Sequence, residues 1–267
     1  MSTLQRTKDQ NQLEITFIGG PTALLEWGNF RLLTDPTFDP PGGEYATGPV
    51  VLKKLVGPAM DAESLGRIDA VLLSHDHHYD NLDRSGRSFL TRVSKVVTTT
   101  AGAQRLGGNA IGLEQWQSID LTGKSGSILR ITGTPARHGP AGLDRGPVMG
   151  FVLSVADSST PVVYVSGDTV WYEGVAEVAR RFNVQVAVLF MGAARVPVVG
   201  PDALTMTAAD GIEAARAFYG ATIVPLHYEG WAHISESRSV IASAFEAAGL
   251  GARLRWPEPS VSIPVAA

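Results

Sequence analysis

The 267-residue chain contains no cysteine. That excludes disulfides, thiolate metal ligands and a cysteine nucleophile, so any metal must be held by His, Asp, Glu or Asn. Basic charge is not in excess either: 22 Lys and Arg against 26 Asp and Glu leave a net charge of −4. Binding along a nucleic-acid backbone normally shows as a basic excess or stripe, so no nucleic-acid partner is expected. No apolar run approaches the ~18 residues of a membrane span. The opening residues, MSTLQRTKDQNQ, lack the apolar core of a signal peptide. A cytoplasmic protein with no membrane partner is expected, with a polar tail over about residues 1–12. Low-complexity tracts and short repeats are also missing.

What is present suffices for a substantial core. With 44% hydrophobic residues, residues 1–267 are expected to form one domain. Strands are predicted at 13–20, at 22–27 and 30–35 around a Gly28-Asn29 turn, and at 68–74, 95–100, 115–121, 127–136, 148–156, 161–168, 184–192 and 221–227. ARLRW, 252–256, reads as a last edge strand. Helices are expected at 82–93, 101–106, 171–182, 207–219 and 235–248, with a single turn at 61–65. Asp61 and Ser235 are candidate caps, and Gly107-Gly108 and Gly249 are stops. Residues 36–58 and 193–206, rich in Pro and Gly, read as long loops. Strands come first and strand–helix units follow in both halves. That order predicts an α/β (α+β) architecture of two mixed β-sheets packed together, with helices on both outer faces.

Chemistry concentrates at SHDHHYDNLD, residues 74–83, which follows the apolar strand IDAVLLS. Three of the chain's six histidines, His75, His77 and His78, fall within four positions, among Asp76, Asp80 and Asp83. Imidazole nitrogens and carboxylate oxygens together suit Zn²⁺, Mn²⁺ or Fe. The other histidines lie at or just past strand ends as well: His138 after 127–136, His227 after 221–226, and His233 six residues on. Asp168 ends PVVYVSGD. Strand ends that converge on one sheet edge are where α/β folds place ligands. Each of these side chains taken singly also reads as a turn residue bonded to local backbone.

In these motifs the chain resembles the metallo-β-lactamase fold superfamily. More narrowly it is similar to the branch of L-ascorbate-6-phosphate lactonase-like and N-acyl-phosphatidylethanolamine phospholipase D-like metal-dependent hydrolases. The family landmarks are His-x-His-x-Asp-His after a buried strand, a lone His, an Asp in Gly-Asp-Thr, and a final His. SHDHHYDNLD, ARHGP at His138, SGDT at Asp168 and PLHYEGW at His227 match them in order, and TDP at Asp35 looks like a further family feature. The resemblance covers about residues 13–256 and implies a four-layer αββα sandwich.

The first motif departs from the pattern. Laid from His75, the family's acid falls on Tyr79 and its last His on Asp80. Laid from the right, HYDN at 78–81 matches HYDH with one residue inserted, His78 and Asp80 are ligands, and Asn81 replaces the last His. The second register keeps the acid and is preferred, leaving His77 over. The resemblance then implies one or two divalent ions, Zn²⁺ first and Mn²⁺ or Fe otherwise. His75, His78 and His138 would form one site, Asp80 and His227 the other, with Asp168 bridging. Asn81 would offer a weaker oxygen ligand or none. Asp80 and His233 are the candidate catalytic residues. Tyr228 is a second candidate proton donor, although wall packing suits both it and Trp231 better. His233 could equally contact substrate or cap local backbone. Asp76 and Asp83 are candidates to orient ligand imidazoles, and Asp83 reads equally as a first-turn helix acid.

The implied activity is hydrolysis of a small-molecule ester, lactone or phosphodiester by a metal-activated water. A metal-dependent nuclease, and a metal-binding protein without turnover, are the alternatives. The flavin partner domain and the Glu ligand of the superfamily's diiron oxidoreductases are not found.

Overall fold

The computed structural model describes residues 12–123, 126–155 and 162–265. Most of the predicted polar tail lies outside the described residues. Strands β1 (Leu13–Gly19), β2 (Thr22–Trp27) and β3 (Phe30–Thr34) form an antiparallel meander. A small hairpin follows, β4 (Glu44–Thr47) with β5 (Val50–Lys53). Then come β6 (Ala70–Leu72), α1 (Arg84–Phe89), β7 (Val96–Thr99), α2 (Thr100–Leu106) and β8 (Ala110–Leu113). The second half holds β9 (Ser118–Thr122), β10 (Ile128–Pro135), β11 (Met149–Val155), β12 (Val162–Val165), α3 (Glu173–Arg181) and β13 (Val184–Phe190). It closes with α4 (Ala208–Ala217), β14 (Thr222–Leu226), α5 (Arg238–Ala247) and β15 (Ser262–Val265).

Two mixed sheets result. The first runs β15-β1-β2-β3-β6-β7-β8 and the second β14-β13-β12-β11-β10-β9. In the first, β3, β6, β7 and β8 are parallel. In the second, β12, β13 and β14 are parallel, and β9 to β12 are successively antiparallel. Phe17, Leu25 and Leu72 meet Ile131, Phe151 and Val188 in the shared core between the sheets. A second core lies outside the second sheet, where Val175 and Val178 of α3, Ala214 of α4 and Ile241 and Phe245 of α5 cover it. A third, around Leu33, Val71, Phe89 and Val96, lies outside the first sheet. Helices flank sheets that are apolar on both faces, the αββα layering expected from the sequence. No described helix is long and apolar enough to cross a membrane.

Local chemistry explains most boundaries. Asp83 caps α1 by accepting from Gly86 N at 2.8 Å, and Thr99 caps α2 through Gly102 N at 2.9 Å. Thr207 and Asp210 form a reciprocal capping box at α4. Asp61 makes no side-chain cap bond. Ser235 is not the α5 cap. Its hydroxyl donates to Ala193 O at 2.6 Å, and the helix starts after Ser237.

Three segments differ from the sequence expectation. The 36–58 loop contains the β4–β5 hairpin, whose alternation is too short to separate from loop. AIGL, β8, is an edge strand of four residues, interrupted by Gly112, and has no period-2 signal. ARLRW is no strand: residues Gly251–Arg253 make a 3₁₀ turn and only Leu254 bridges, to Ile223. The edge is instead filled by β15 against β1.

The sheets come closest near the end of β12. Met149 N donates to Ser74 O at 3.1 Å, linking β11 to the segment after β6. Gly167 sits in this seam with φ +58°. A Cβ there would stand 2.5 Å from Met149 O and 2.7 Å from Ser74 Cβ. Only glycine satisfies both the left-handed backbone and the contact. Gly167→Ala is therefore expected to destabilise the fold by about 2–5 kcal/mol, left-handed strain plus overpacking. Urea unfolding at unchanged m-value measures it, and a loss under about 0.5 kcal/mol would contradict the tight seam.

Candidate metal centre

The parallel strands of both sheets deliver side chains to this seam. Past β6 stand Ser74 and His75, past β10 His138, past β12 Asp168, and past β14 His227. Asp80 and His78 come from the loop between β6 and α1. His75, Asp80, His138, Asp168 and His227 are all buried, although they are separated by up to 152 positions in the chain. Two sets of donors form. His75, His138 and Asp168 make one, Asp80, Asp168 and His227 the other, and within each set the ligand atoms lie within 4.8 Å of one another. Asp168 is common to both. His138 Nε2 stands 3.7 Å from Asp168 Oδ2, while His227 Nε2 stands 3.6 Å from Asp168 Oδ1 and 3.5 Å from Asp80 Oδ2.

Second contacts aim the rings. His138 Nδ1 is 2.8 Å from Leu204 O and must donate to it, which leaves Nε2 as the lone-pair nitrogen facing Asp168. His75 Nδ1 is 2.9 Å from Ser74 Oγ, and its Nε2 is 2.9 Å from His78 Nδ1. His78 lines the pocket above the centre. His77 turns away: its Nε2 is 2.9 Å from Arg145 O. His75, His77 and His78 nonetheless form a third group of close donors. His227 adopts φ +58°, a conformation costing a non-glycine residue about 1–2 kcal/mol.

The electrostatics divide the centre into two corners. Burial, then the neighbouring rings of His78 and His138, hold His75 far below the ordinary histidine range. Burial, then His138, brings His78 down to about 3. Both rings are therefore neutral, the ligating form. In the other corner burial would lower His227, but Asp168 and then Asp80 outweigh it and raise the ring. Burial would raise Asp80, yet the His227 ring 3.5 Å away and the hydrogen-bonded His233 hold it well below the carboxylate range. The neutral rings of His75 and His78 beside the ionised Asp80 make a cavity suited to positive charge. The fit to a metal is borne by single atoms too: Asp168 Oδ2 and both ring nitrogens of His227 are buried with no hydrogen-bond partner. An all-nitrogen-and-oxygen donor set of this kind suits Zn²⁺, Mn²⁺ or Fe.

Around the donors the structure assigns roles that the sequence left open. Asn81 Nδ2 donates to Asp168 Oδ1 at 3.2 Å and to Asp35 Oδ2 at 3.4 Å, so its amide braces the shared carboxylate. Asp35 accepts from Ser74 N at 2.6 Å, and burial pushes its carboxyl up to about 8. In the sequence it was only a landmark. His233 Nε2 lies 2.9 Å from Asp80 Oδ2 at the pocket wall. Tyr228 and Trp231 are buried packing residues outside the pocket's lining, Tyr228 stacked on Phe17 and Trp231 tilted against Tyr45.

Neither Asp76 nor Asp83 orients a ligand imidazole. Asp76 pairs with Arg105, and its nearest histidine contact is 4.0 Å to His77. Asp83 accepts from Phe38 N, Asp39 N and Gly86 N and pairs with buried Lys54 at 2.8 Å. It thereby ties the 36–58 segment to the first turn of α1. Lys54→Met would leave that carboxylate buried and unpaired. A loss of about 3–5 kcal/mol is expected, and thermal unfolding checks it. Unchanged stability would mean that the backbone donors alone satisfy Asp83.

Comparisons with known proteins identify the family. The family described as Beta-lactamase superfamily domain matches residues 30–228. The chain is 30% identical over 247 residues to a UPF0173 metal-dependent hydrolase of Pelotomaculum thermopropionicum, covering 88% of this chain and 93% of that one. It is 25% identical over 257 residues to the UPF0173 protein YddR of Bacillus subtilis, covering 94% and 99%. Among solved structures, a possible metal-dependent hydrolase from Veillonella parvula superposes with a TM-score of 0.81 at 20% identity, over 95% of this chain and 100% of that one. The isothiocyanate hydrolase from Delia radicum gut bacteria superposes with a TM-score of 0.79 at 23% identity, over 94% and 98%. At those identities the solved structures attest the fold alone. The family match and the first relative go further: this chain belongs to the metallo-β-lactamase superfamily and, within it, to the UPF0173 metal-dependent hydrolases.

Proposed function

We propose that the protein hydrolyses a small ester, lactone or phosphodiester in the pocket above the two donor sets. The observation that carries the reading is the buried Asp168 carboxylate, shared between a neutral imidazole corner and an ionised carboxylate corner. His75, His78 and His138 would hold one ion, Asp80 and His227 a second, with Asp168 between them. Zinc is the first choice and Mn²⁺ or Fe the alternatives. A bound ion of this kind lowers the pKa of water from ~15.7 towards ~7 and polarises the bond under attack. The HYDN motif supports a place near the lactonase-like and phospholipase D-like branch. The cysteine-free chain is compatible with the cytoplasmic setting we assign.

The chain's own residues supply the rest. Valine and leucine walls from the β4–β5 hairpin and from residues 194–204 line a pocket open to solvent on one side and shield the substrate's apolar part from water. Asp80 stays ionised and accepts from His233, holding that ring at the pocket wall. His233, on the pocket wall, is the group placed to give a proton to the leaving oxygen. A binding protein without turnover is the second reading, favoured by Asn81 standing where the family pattern has an imidazole.

A screen on bis-p-nitrophenyl phosphate and simple lactones separates the readings. No turnover with a full metal complement would favour binding. For the ligands, we expect His138→Ala and Asp168→Ala to lose metal, measured by mass spectrometry of the folded protein, while far-ultraviolet circular dichroism stays native. Metal retained at full stoichiometry would falsify the assignment. His78→Ala should also cost more metal affinity than His77→Ala, and the reverse order would restore the register laid from His75. Replacing His233 with Asn should keep the metal but lower kcat by about 10²-fold or more. A variant of undiminished kcat would remove His233 from proton transfer.

A further inference from the structure

One cation of the pocket has no part in the centre. Arg145 lines it together with His78, His138 and His233. Its backbone is held on both sides by the centre's own histidine segments. Arg145 N donates to His138 O at 2.8 Å, and Arg145 O accepts from His77 Nε2 at 2.9 Å. The next residue, Gly146, has φ +104°, and a Cβ there would stand 2.9 Å from that same His77 nitrogen. The loop thus seats Arg145 at a fixed place over the centre. This is an account of His77 that metal ligation does not require.

The side chain, by contrast, is unclaimed. Other arginines near the centre are engaged: Arg105 pairs with Asp76, Arg87 donates to Asp76 O at 2.7 Å, and Arg137 lies 4.4 Å over the Tyr172 ring. Among the described residues the half-buried Arg145 guanidinium has no hydrogen-bond, ion-pair or ring partner. The carboxylate on the pocket's lining, Asp80, is taken by His233 and His227. Of the remaining lining residues, Val50, Leu52, Ala194, Val196, Val199 and Leu204 offer no side-chain acceptor, and Thr47 and Tyr79 offer only neutral hydroxyls. A guanidinium facing a partly dry, apolar-walled space keeps five N–H donors that match a carboxylate or phosphate in fork geometry.

We propose that Arg145 is a specificity-determining residue that binds an oxyanionic group on the substrate, a carboxylate or a phosphate set apart from the bond that is cleaved. The substrate is then a small, mostly apolar ester, lactone or phosphodiester with one anionic end. This rests on the hydrolytic reading of the same pocket for its meaning, but not for its test. The apolar walls take the body of the molecule, Arg145 takes the anionic end, and the reacting bond lies over Asp168. Having the charge recognised by the loop that also carries His138 fixes the distance between the two ends.

The test is calorimetric and needs no turnover. Metal-loaded wild type, Arg145→Gln and Arg145→Lys are titrated with inorganic phosphate and, separately, with butyrate, after metal content is shown to be equal. In wild type at least one oxyanion binds. Its affinity falls about tenfold to a hundredfold in Arg145→Gln, the scale of lost charged hydrogen bonds, and less in Arg145→Lys. The stronger probe tells phosphate from carboxylate. Equal affinity in wild type and Arg145→Gln, or no binding of either probe to wild type, overturns the proposal. Oxyanion binding through Arg145 with no turnover of any ester, lactone or phosphodiester would sink the hydrolytic reading and leave this one standing.

Discussion

Asp168 is the constraint on which the structure depends. A carboxylate with no exposure to solvent is costly unless opposite charge or donors surround it. Here the surroundings come from both sheets. His138 and His227 reach it from β10 and β14, each one strand removed from β12 in the second sheet, and Asn81 donates from the loop after β6 of the first. The two sheets therefore come together at the end of β12, and Gly167, one residue before Asp168, is what lets them. The Met149–Ser74 backbone bond, the left-handed turn at Gly167 and the shared carboxylate form one joint. Packing of the inter-sheet core and construction of the metal centre are the same event.

Around that joint polar groups are layered by distance. Closest are five buried side chains whose free nitrogens and oxygens face one another. Next come groups that hold those five in place: Leu204 O on His138, Ser74 Oγ on His75, Asn81 on Asp168, and His233 on Asp80. Farther out, Asp83 with Lys54 ties down the hairpin segment that walls the pocket. Three of the five non-glycine residues with positive φ among the described residues lie beside the centre. Asp35, Ala193 and His227 all take positive φ next to the centre, where surrounding hydrogen bonds are dense enough to hold them there.

Much of this was legible in the chain. The buried strands announce themselves as short β-branched runs, and their polar ends stand out because a histidine or aspartate follows directly. IDAVLLSH, PVVYVSGD and ATIVPLH each carry the strand and its ligand in one stretch. Helices with a strong cap, such as α4 behind Thr207, appear where expected. Weak or short elements do not. The four-residue strands β4, β5 and β8 have too few alternations to separate from loop. ARLRW has the alternation of a strand, but its first half turns as a 3₁₀ helix and only Leu254 pairs, with Ile223 at the β14 edge of the second sheet.

The sequence by itself determined the inventory of the centre: which imidazoles and carboxylates sit at strand ends, and that no thiolate can join them. Strand-end position is a local property, written in the residues immediately before each ligand. Only the tertiary structure decided how those groups divide the work. Asp83 and Asp76, three and one residues from Asp80 and His75, serve a helix cap and an arginine. Asp35 and Arg145, 40 and 70 residues from the histidine cluster, stand at its base and its rim. The reason is physical. Which side of a loop a side chain faces depends on the donors it meets across the fold, and those belong to strands paired over long sequence separations, which no local pattern records.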